Sequence, residues 1–87
     1  MEKISIEEQL KKYISHNLLF SDDGFPYHET DSFLAQGIID SIGIMELVAF
    51  VEDNFKLTVE NWEITPTNFD SIEQLAQYIR NKTNISA

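Results

Sequence analysis

The 87-residue chain contains no cysteine, and it has only 6 lysines and arginines against 15 aspartates and glutamates. Without cysteine it can form neither a disulfide framework nor a thiolate metal site, so any thiol chemistry must come from a prosthetic group. The formal net charge of −9 disfavours contact with nucleic-acid phosphates and with anionic membrane surfaces. These absences predict no nucleic-acid binding and no membrane binding, and they favour a basic protein as the partner.

Long apolar runs are also missing. No stretch approaches the roughly 18 apolar residues of a membrane span, and the N-terminal part has no apolar segment of the secretory kind. We therefore expect a soluble, cytoplasmic and monomeric protein. The 87 residues suffice for one domain, 1–87, with a modest core over about residues 4–82, but not for a separate active-site cleft. We accordingly predict no enzyme activity and no catalytic residue.

Helix signals recur along the chain, and no strand-like alternation competes with them. The fold class that we predict is all-α, with three main helices and one short helix in a four-helix bundle. Ser5 and Glu8 have the spacing of a capping box and predict a first helix through about Leu19. A long loop follows, anchored by Phe33 and Leu34 together with Ile38 or Ile39. A central helix is predicted from Ser41 to Asn54 or Phe55.

The second half of the chain predicts two more helical segments. A single turn is expected around residues 61–64, ended by Pro66. Overlapping capping boxes, Asp70 with Glu73 and Ser71 with Gln74, predict a last helix that ends near Lys82, followed by a frayed tail from Thr83 to Ala87. The predicted core consists of the apolar residues with helical spacing and the loop anchor: Ile14, Phe33, Leu47, Val48, Val51, Phe55, Leu75 and Ile79.

Metal sites are not predicted. Counting from Asp22, the loop lacks the glycine and oxygen ligands that an EF-hand needs at its fixed positions. His16 and His28 lie in different elements without cysteine companions, so we interpret both as surface residues.

The start of the central helix has two interpretations. Ser41, or Asp40 beside it, can cap the free amide groups of the first turn. Alternatively, the Ser41 hydroxyl faces solvent at the positive end of the helix dipole, which favours a phosphate. A complete capping box is missing, because the third residue after Ser41 is Ile44 and the third after Asp40 is Gly43.

The run Gly37-Ile38-Ile39-Asp40-Ser41-Ile42 resembles the Gly-x-Asp-Ser-Leu signature of acyl and peptidyl carrier proteins, and Glu46-Leu47-Val48 resembles the Glu-Leu-Val that follows it. The resemblance extends over nearly the whole chain. It implies that Ser41 carries a 4′-phosphopantetheine arm derived from coenzyme A, which holds a carboxylic acid as a thioester. Two positions depart from the pattern: Ile42 replaces the usual leucine, and Gly43 replaces a frequent acidic residue that contacts the loading enzyme.

The resemblance also implies partners. These are a phosphopantetheinyl transferase that uses magnesium, an acid-activating ligase, and acyl-transferring enzymes with basic docking surfaces. The outward face of the central helix mixes apolar and acidic side chains and is the predicted docking face, with Glu52 as a further steering charge. Its predicted partner-binding residues are Asp40, Ile42, Met45, Glu46, Ala49 and Asp53. The simpler interpretation of the same face is a solvated helix surface.

Two aromatic residues bear on the cargo. Trp62 is either a core residue or part of a partner surface, and the sequence does not decide between them. Phe50 is predicted to lean toward the space between the central helix and the Trp62 segment, where its ring would leave only a shallow pocket and favour a short or polar cargo. The alternative to a carrier is an acidic helical interaction module that has no prosthetic group.

Overall fold

In the computed structural model, which describes residues 5–21 and 24–83, every regular element is helical. The predicted all-α class is therefore confirmed for that part of the chain, as is the long connection between the first two helices. The tail that we predicted to fray lies, beyond Thr83, outside the described residues. The elements in chain order are α1 (Ile6–Tyr13), a π-helical turn (Ile14–Leu18), α2 (Ser41–Phe55), a 3₁₀ helix (Asn61–Glu63), α3 (Pro66–Phe69) and α4 (Ile72–Thr83).

The first helix begins as predicted but changes its winding before it ends. The Ser5 hydroxyl accepts a hydrogen bond from the Glu8 amide at 3.1 Å, so it caps α1. From Ile14 the helix widens, and the Leu19 amide donates to the Ile14 carbonyl at 2.9 Å, five residues back. The Asn17 side chain donates to the Tyr13 carbonyl at 3.1 Å. Side-chain hydrogen bonds of this kind to the carbonyl four residues back often bend a helix, and this one lies where the winding changes.

The predicted turn around residues 61–64 is the 3₁₀ helix Asn61–Glu63. Pro66, which we expected only to end that turn, is instead the first residue of α3. Proline suits this position because its φ is preset and the amide hydrogen that it lacks would have no helical partner there. The chain therefore has one more short helix than the sequence predicted.

Neither of the two overlapping capping boxes before α4 forms completely within the described residues. The Ser71 hydroxyl accepts from the Gln74 amide at 3.1 Å, as predicted, but the Gln74 side-chain oxygen accepts from this hydroxyl at 3.3 Å and not from the Ser71 amide. Asp70 does not pair with Glu73. Its carboxylate instead accepts hydrogen bonds from the Ser32 hydroxyl and from the Leu34 amide, the latter at 3.1 Å. Asp70 thus fixes the long loop to the start of α4, a role that spacing along the chain could not reveal.

The core lies between α1, α2 and α4, with the long loop folded beneath them. Seven of the eight predicted core residues are buried; the exception, Phe55, is half-buried against the core. Phe33 is fully buried and anchors the loop together with both Ile38 and Ile39. Leu34 is 50% exposed, so the prediction that it helps to anchor the loop is wrong. Its backbone is held by Asp70, and its side chain is left at the surface.

Candidate functional site

Asp40, and not Ser41, caps helix α2. The Asp40 backbone is extended, its carboxylate accepts from the Gly43 amide at 2.8 Å, and its carbonyl accepts from the Ile44 amide at 2.9 Å. Ser41 is consequently the first helical residue, and its side chain is exposed. Within the described residues its hydroxyl forms no hydrogen bond. The structure therefore leaves this hydroxyl free of the capping role that competed with a reactive one.

Close packing behind Ser41 fixes the start of α2. Ile38 and Ile39 are buried, and the Ile38 amide donates to the Phe33 carbonyl at 2.7 Å. Gly43 is buried too, and a Cβ at this position would overlap the Cγ2 methyl of Ile39. A larger residue at position 43 would therefore push α2 away from the loop. This contact explains why the sequence has glycine where the carrier pattern often has an acidic residue.

Two surface cavities lie on either side of the start of α2. The first, here called the Ser41 groove, has a volume of about 270 Å³ and a mostly apolar wall contributed by the loop, α2 and the segment around α3. It is lined by Leu34, Ser41, Ile44, Met45, Ile64, Thr65, Pro66, Phe69 and Asp70. Ser41 belongs to this groove directly.

The second cavity, here called the Phe20 cavity, has a volume of about 430 Å³ and lies between the end of the π-helical turn and the first turn of α2. Among the described residues, its charged lining residues are Asp40 and Glu46. It is lined by Asn17, Leu18, Phe20, Gly37, Ile38, Ile39, Asp40, Ile42, Gly43 and Glu46.

All six predicted partner-binding residues are exposed. The structure divides them between the two cavities, because Asp40, Ile42 and Glu46 line the Phe20 cavity while Met45 lines the Ser41 groove. Ala49 and Asp53 line neither cavity and lie farther along the same helix. The predicted face is thus exposed to solvent, but its six residues do not line a single cavity.

Glu52 is oriented by the backbone. Its carboxylate accepts a hydrogen bond from the Val59 amide at 2.8 Å and closes the turn that follows α2. This hydrogen bond fixes the orientation of Glu52 without removing its charge, so its role as a steering charge stays a prediction. In contrast, neither Glu46 nor Asp53 forms an ion pair within residues 5–21 and 24–83. The Glu46 charge acts on Tyr13, whose pKa is raised first by burial and then by this carboxylate.

Phe50 lies on the other side of α2 from the position that we predicted. Its ring stacks on Tyr13 of α1 with 4.0 Å between ring centroids and an angle of 15°, and it meets Phe55 edge-on at 6.2 Å. The periodicity of α2 indicated that Phe50 lies at the margin of the core, but it could not tell which neighbouring helix the ring would meet. The Ser41 groove is therefore not filled by Phe50.

Trp62 is 76% exposed, which excludes the core position that the sequence left open. The adjacent Glu63 is buried instead, and sequence reasoning missed its role. Its carboxylate accepts hydrogen bonds from the Glu60 amide at 2.9 Å, the Tyr78 hydroxyl at 3.0 Å and the Lys82 amine at 2.8 Å. The Lys82 ammonium group is the main cause of a lowered Glu63 pKa, and burial, followed by the contact with Glu63, raises the pKa of Tyr78.

The Glu63 contacts support one wall of the Ser41 groove. The Glu63 carbonyl accepts from the Asn68 side chain and from the Thr65 amide, both at 2.9 Å. Ile64, Thr65 and Pro66, which line the groove, directly follow Glu63. The segment 64–66 is thus fixed to α4 through the hydrogen bonds of Glu63. The Ser41 hydroxyl, which also lines the groove, forms no hydrogen bond within the described residues.

Neither a metal-binding cluster nor a membrane-spanning helix is present in the described part of the chain. It contains no cluster of three or more histidine or acidic side chains that could hold a metal ion. None of its helices combines the length and the apolar character that crossing a bilayer would require. His16 and His28 are both exposed, as expected from the sequence. No protein-family model and no curated protein matches the chain significantly.

Proposed function

We propose that this chain is an acyl or aminoacyl carrier protein whose Ser41 is the attachment point of 4′-phosphopantetheine. The group would supply the thiol that the chain lacks, and this thiol would hold a carboxylic acid as a thioester. The observation that carries the proposal is an exposed serine hydroxyl, free of capping bonds, at the first position of α2 and on the wall of an apolar groove. The sequence resemblance around Asp40-Ser41 adds the identity of the group.

The residues around Ser41 fit a phosphate ester. Asp40 takes up the Gly43 amide, while the amides of Ser41 and Ile42 form no hydrogen bond within the described residues. Free amides at a helix N-terminus favour an anionic group, and here they would face the phosphate bound to Ser41 Oγ. No described basic side chain contacts the hydroxyl, so the group that accepts its proton belongs to the loading enzyme.

The groove beside Ser41 suits the arm or its cargo. Ile44, Met45, Ile64, Pro66 and Phe69 give it a mostly apolar wall, and burial of apolar surface there is favourable at about 25 cal/mol per Å². The Phe50 ring, which we expected to leave only a shallow pocket for a short or polar cargo, packs on α1 instead. The groove therefore imposes no such limit on the cargo.

The carrier function also implies a type of helical bundle, a set of partner enzymes and a monomeric state. The helices would form the four-helix bundle of carrier proteins, with the 3₁₀ helix and α3 together replacing its short third helix. The partners would be a phosphopantetheinyl transferase, an acid-activating ligase and acyl-transferring enzymes, and the protein would act as a cytoplasmic monomer. The acidic side chains at the start of α2 support basic partner surfaces, because opposite charges accelerate association.

Intact mass spectrometry tests the proposal. The protein is co-expressed with a broad-specificity phosphopantetheinyl transferase, and the expected result is one added phosphopantetheine, absent from Ser41→Ala. Ser5→Ala is the matched control, because Ser5 is also an exposed serine at a helix start but caps α1. It should lose about 1 kcal/mol of stability and load normally. Modification that persists in Ser41→Ala would overturn the assignment.

A second function is favoured by the exposed apolar side chains. Phe20 is 83% exposed and Ile42 is 72% exposed, which also suits an interaction module that has no prosthetic group. In that case the folded wild-type protein would show no added mass after co-expression, although a control carrier protein is loaded by the same transferase.

A further inference from the structure

We propose that a groove between α1 and α2 binds an acidic side chain of a partner protein together with the apolar residue beside it. The groove, here called the Lys12 groove, has a volume of about 300 Å³, and its lining includes Gln9, Lys12, Tyr13, His16, Phe50 and Asn54. Neither Ser41 nor any residue of the predicted partner-binding face lines it. The inference therefore goes beyond the proposed function and requires no prosthetic group.

The charge of the Lys12 groove is opposite to that of the whole chain. Lys12 and His16 lie four positions apart, which places them on the same face of the first helical segment, and both are exposed. Among the described residues, no aspartate or glutamate lines the groove, although the chain contains 15 of them. The groove is thus a local basic site on a protein whose formal net charge is −9.

The Lys12 ammonium group is not neutralised by the protein. Lys11, Arg80 and Lys82 each form an ion pair with a glutamate, at nitrogen–oxygen distances of 2.7 to 2.8 Å. Lys12 directly follows Lys11, yet its side chain forms no ion pair or hydrogen bond within residues 5–21 and 24–83. Lys56 is also unpaired in this part of the chain, but it ends α2 outside the groove. A free lysine inside a groove and one outside it can therefore be compared.

Aromatic rings give the groove its apolar surface. The rings of Tyr13 and Phe50 are stacked with 4.0 Å between their centroids, and both residues are half-buried. This stack connects α1 to α2, and the Asn54 side chain, which donates to the Gln9 side chain at 2.8 Å, connects them a second time. The exposed part of the stack lies in the same groove as Lys12. Basic and apolar surfaces are thus combined in one site.

An acidic residue beside an apolar one matches this combination. Its carboxylate can accept charge-assisted hydrogen bonds from Lys12 and His16, and the apolar neighbour can cover the exposed ring surface of Phe50. A basic ligand would be repelled by Lys12. A nucleic acid would be repelled by the net charge of the chain. A volume of about 300 Å³ is at the lower limit for small-molecule sites, so the groove suits one or two side chains of a partner protein.

The test uses a defined probe, the dipeptide N-acetyl-Phe-Glu-amide, titrated into the unmodified full chain and followed by amide chemical shifts. The matched probe, N-acetyl-Phe-Gln-amide, keeps the shape and removes the charge. Physiological ionic strength is used because it screens acidic groups farther than about 8 Å from the probe, whereas contact charges still act. We expect the glutamate peptide to bind about fivefold more tightly, as one exposed ion pair allows. The shifts should centre on Lys12, His16 and Phe50.

Two variants and two matched controls locate the site. Lys12→Gln and His16→Gln each remove one donor from the groove and should reduce the preference for the glutamate peptide. Lys56→Asn removes an unpaired lysine outside the groove and keeps a residue that tolerates the left-handed backbone there. His28→Gln removes an exposed histidine outside the groove. Both controls should keep the preference of the wild type, and thermal unfolding verifies that each variant is folded.

Three results would overturn the inference: equal binding of the two peptides, no binding of the glutamate peptide at millimolar concentration, or an equal loss in Lys12→Gln and Lys56→Asn. A general electrostatic effect cannot imitate the expected result, because the net charge of the chain disfavours the anionic peptide. Ser41→Ala should bind both peptides as the wild type does. Peptide binding and loading at Ser41 can therefore fail independently of each other.

Discussion

The α4 side of the molecule and the Ser41 end of α2 treat their charged groups in opposite ways. On the α4 side, Glu63 is buried and bound to Tyr78 and Lys82, and Glu7 forms two hydrogen bonds of 2.8 Å with Arg80. At the Ser41 end the carboxylate of Glu46 has no partner within residues 5–21 and 24–83. Paired groups stabilise the fold, whereas charges without a described partner stay exposed to solvent, so the contrast separates a side held by internal contacts from a side that presents free charges at its surface.

The largest difference between the two sides is expected in the loss of unfolding free energy when one isoleucine on each side is replaced by alanine. Ile72, at the start of α4, is fully buried, and Ile42, at the start of α2, is 72% exposed. Ile72→Ala should destabilise the protein by about 2–5 kcal/mol because it leaves a cavity. Ile42→Ala should change stability by less than about 0.5 kcal/mol. Urea unfolding followed by circular dichroism measures both, and equal losses would abolish the distinction between the two sides.

Removal of the Tyr78 hydroxyl should have the next largest effect. Tyr78→Phe keeps the ring but removes the hydrogen bond to the Glu63 carboxylate, and bonds of this kind to charged groups are worth about 1.5–3 kcal/mol. Tyr27→Phe is the control, because Tyr27 is exposed and its hydroxyl has no hydrogen bond in the described part of the chain. Thermal unfolding should show a lower Tm for Tyr78→Phe alone; an unchanged Tm would mean that the Glu63 network adds no stability.

The Asp40 cap is a structural hydrogen bond at the Ser41 end, and its removal should have a moderate effect. Asp40→Ala removes the acceptor of the Gly43 amide and should cost about 0.5–2 kcal/mol. Asp53→Ala removes an equal charge from the exposed face of the same helix and should change stability by less than about 0.5 kcal/mol. Amide hydrogen exchange in the first turn of α2 should accelerate in Asp40→Ala. Exchange that stays as slow as in the wild type would show that another group, such as the Ser41 hydroxyl, can cap the helix.

The smallest effect is expected for the partly solvated pair of Glu7 and Arg80. Glu7→Gln should cost about 0.2–1 kcal/mol at neutral pH, since solvent screens such a pair. Hydrogen bonds from Arg80 lower the Glu7 pKa below its ordinary value of 4.5. A lowered carboxyl pKa means that the stabilisation is complete above the unfolded-state pKa and disappears as the pH falls through the folded-state pKa.

The measurement for this pair is therefore the difference in unfolding free energy between the wild type and Glu7→Gln as the pH is lowered. The difference should shrink toward zero below the ordinary carboxyl pKa. Glu46→Gln provides the comparison from the Ser41 end, where no described cation pairs with the carboxylate. A difference that grew in acid would contradict the sign of the Glu7 pKa shift.

The sequence by itself determined the three main helical segments, because the information for them is local. The Ser5 cap and the apolar spacing of α2 located two helix starts, and Phe33 was correctly identified as the anchor of the loop. The same spacing correctly indicated the exposed face that contains Ile42, Glu46 and Asp53. Helical periodicity fixes which residues share a face, and burial of apolar area then decides which face turns inward.

Only the tertiary structure decided what each face meets. Phe50 packs on Tyr13, Asp70 binds the loop instead of capping with Glu73, and Trp62 is exposed while Glu63 is buried. These choices depend on groups that lie far apart along the chain, such as Glu63 and Tyr78, which are separated by 15 positions. No local pattern encodes such a separation, because a hydrogen bond or ring contact between elements exists only once the helices have packed. For the same reason the Phe20 cavity, formed between the π-helical turn and α2, could not be read from either segment alone.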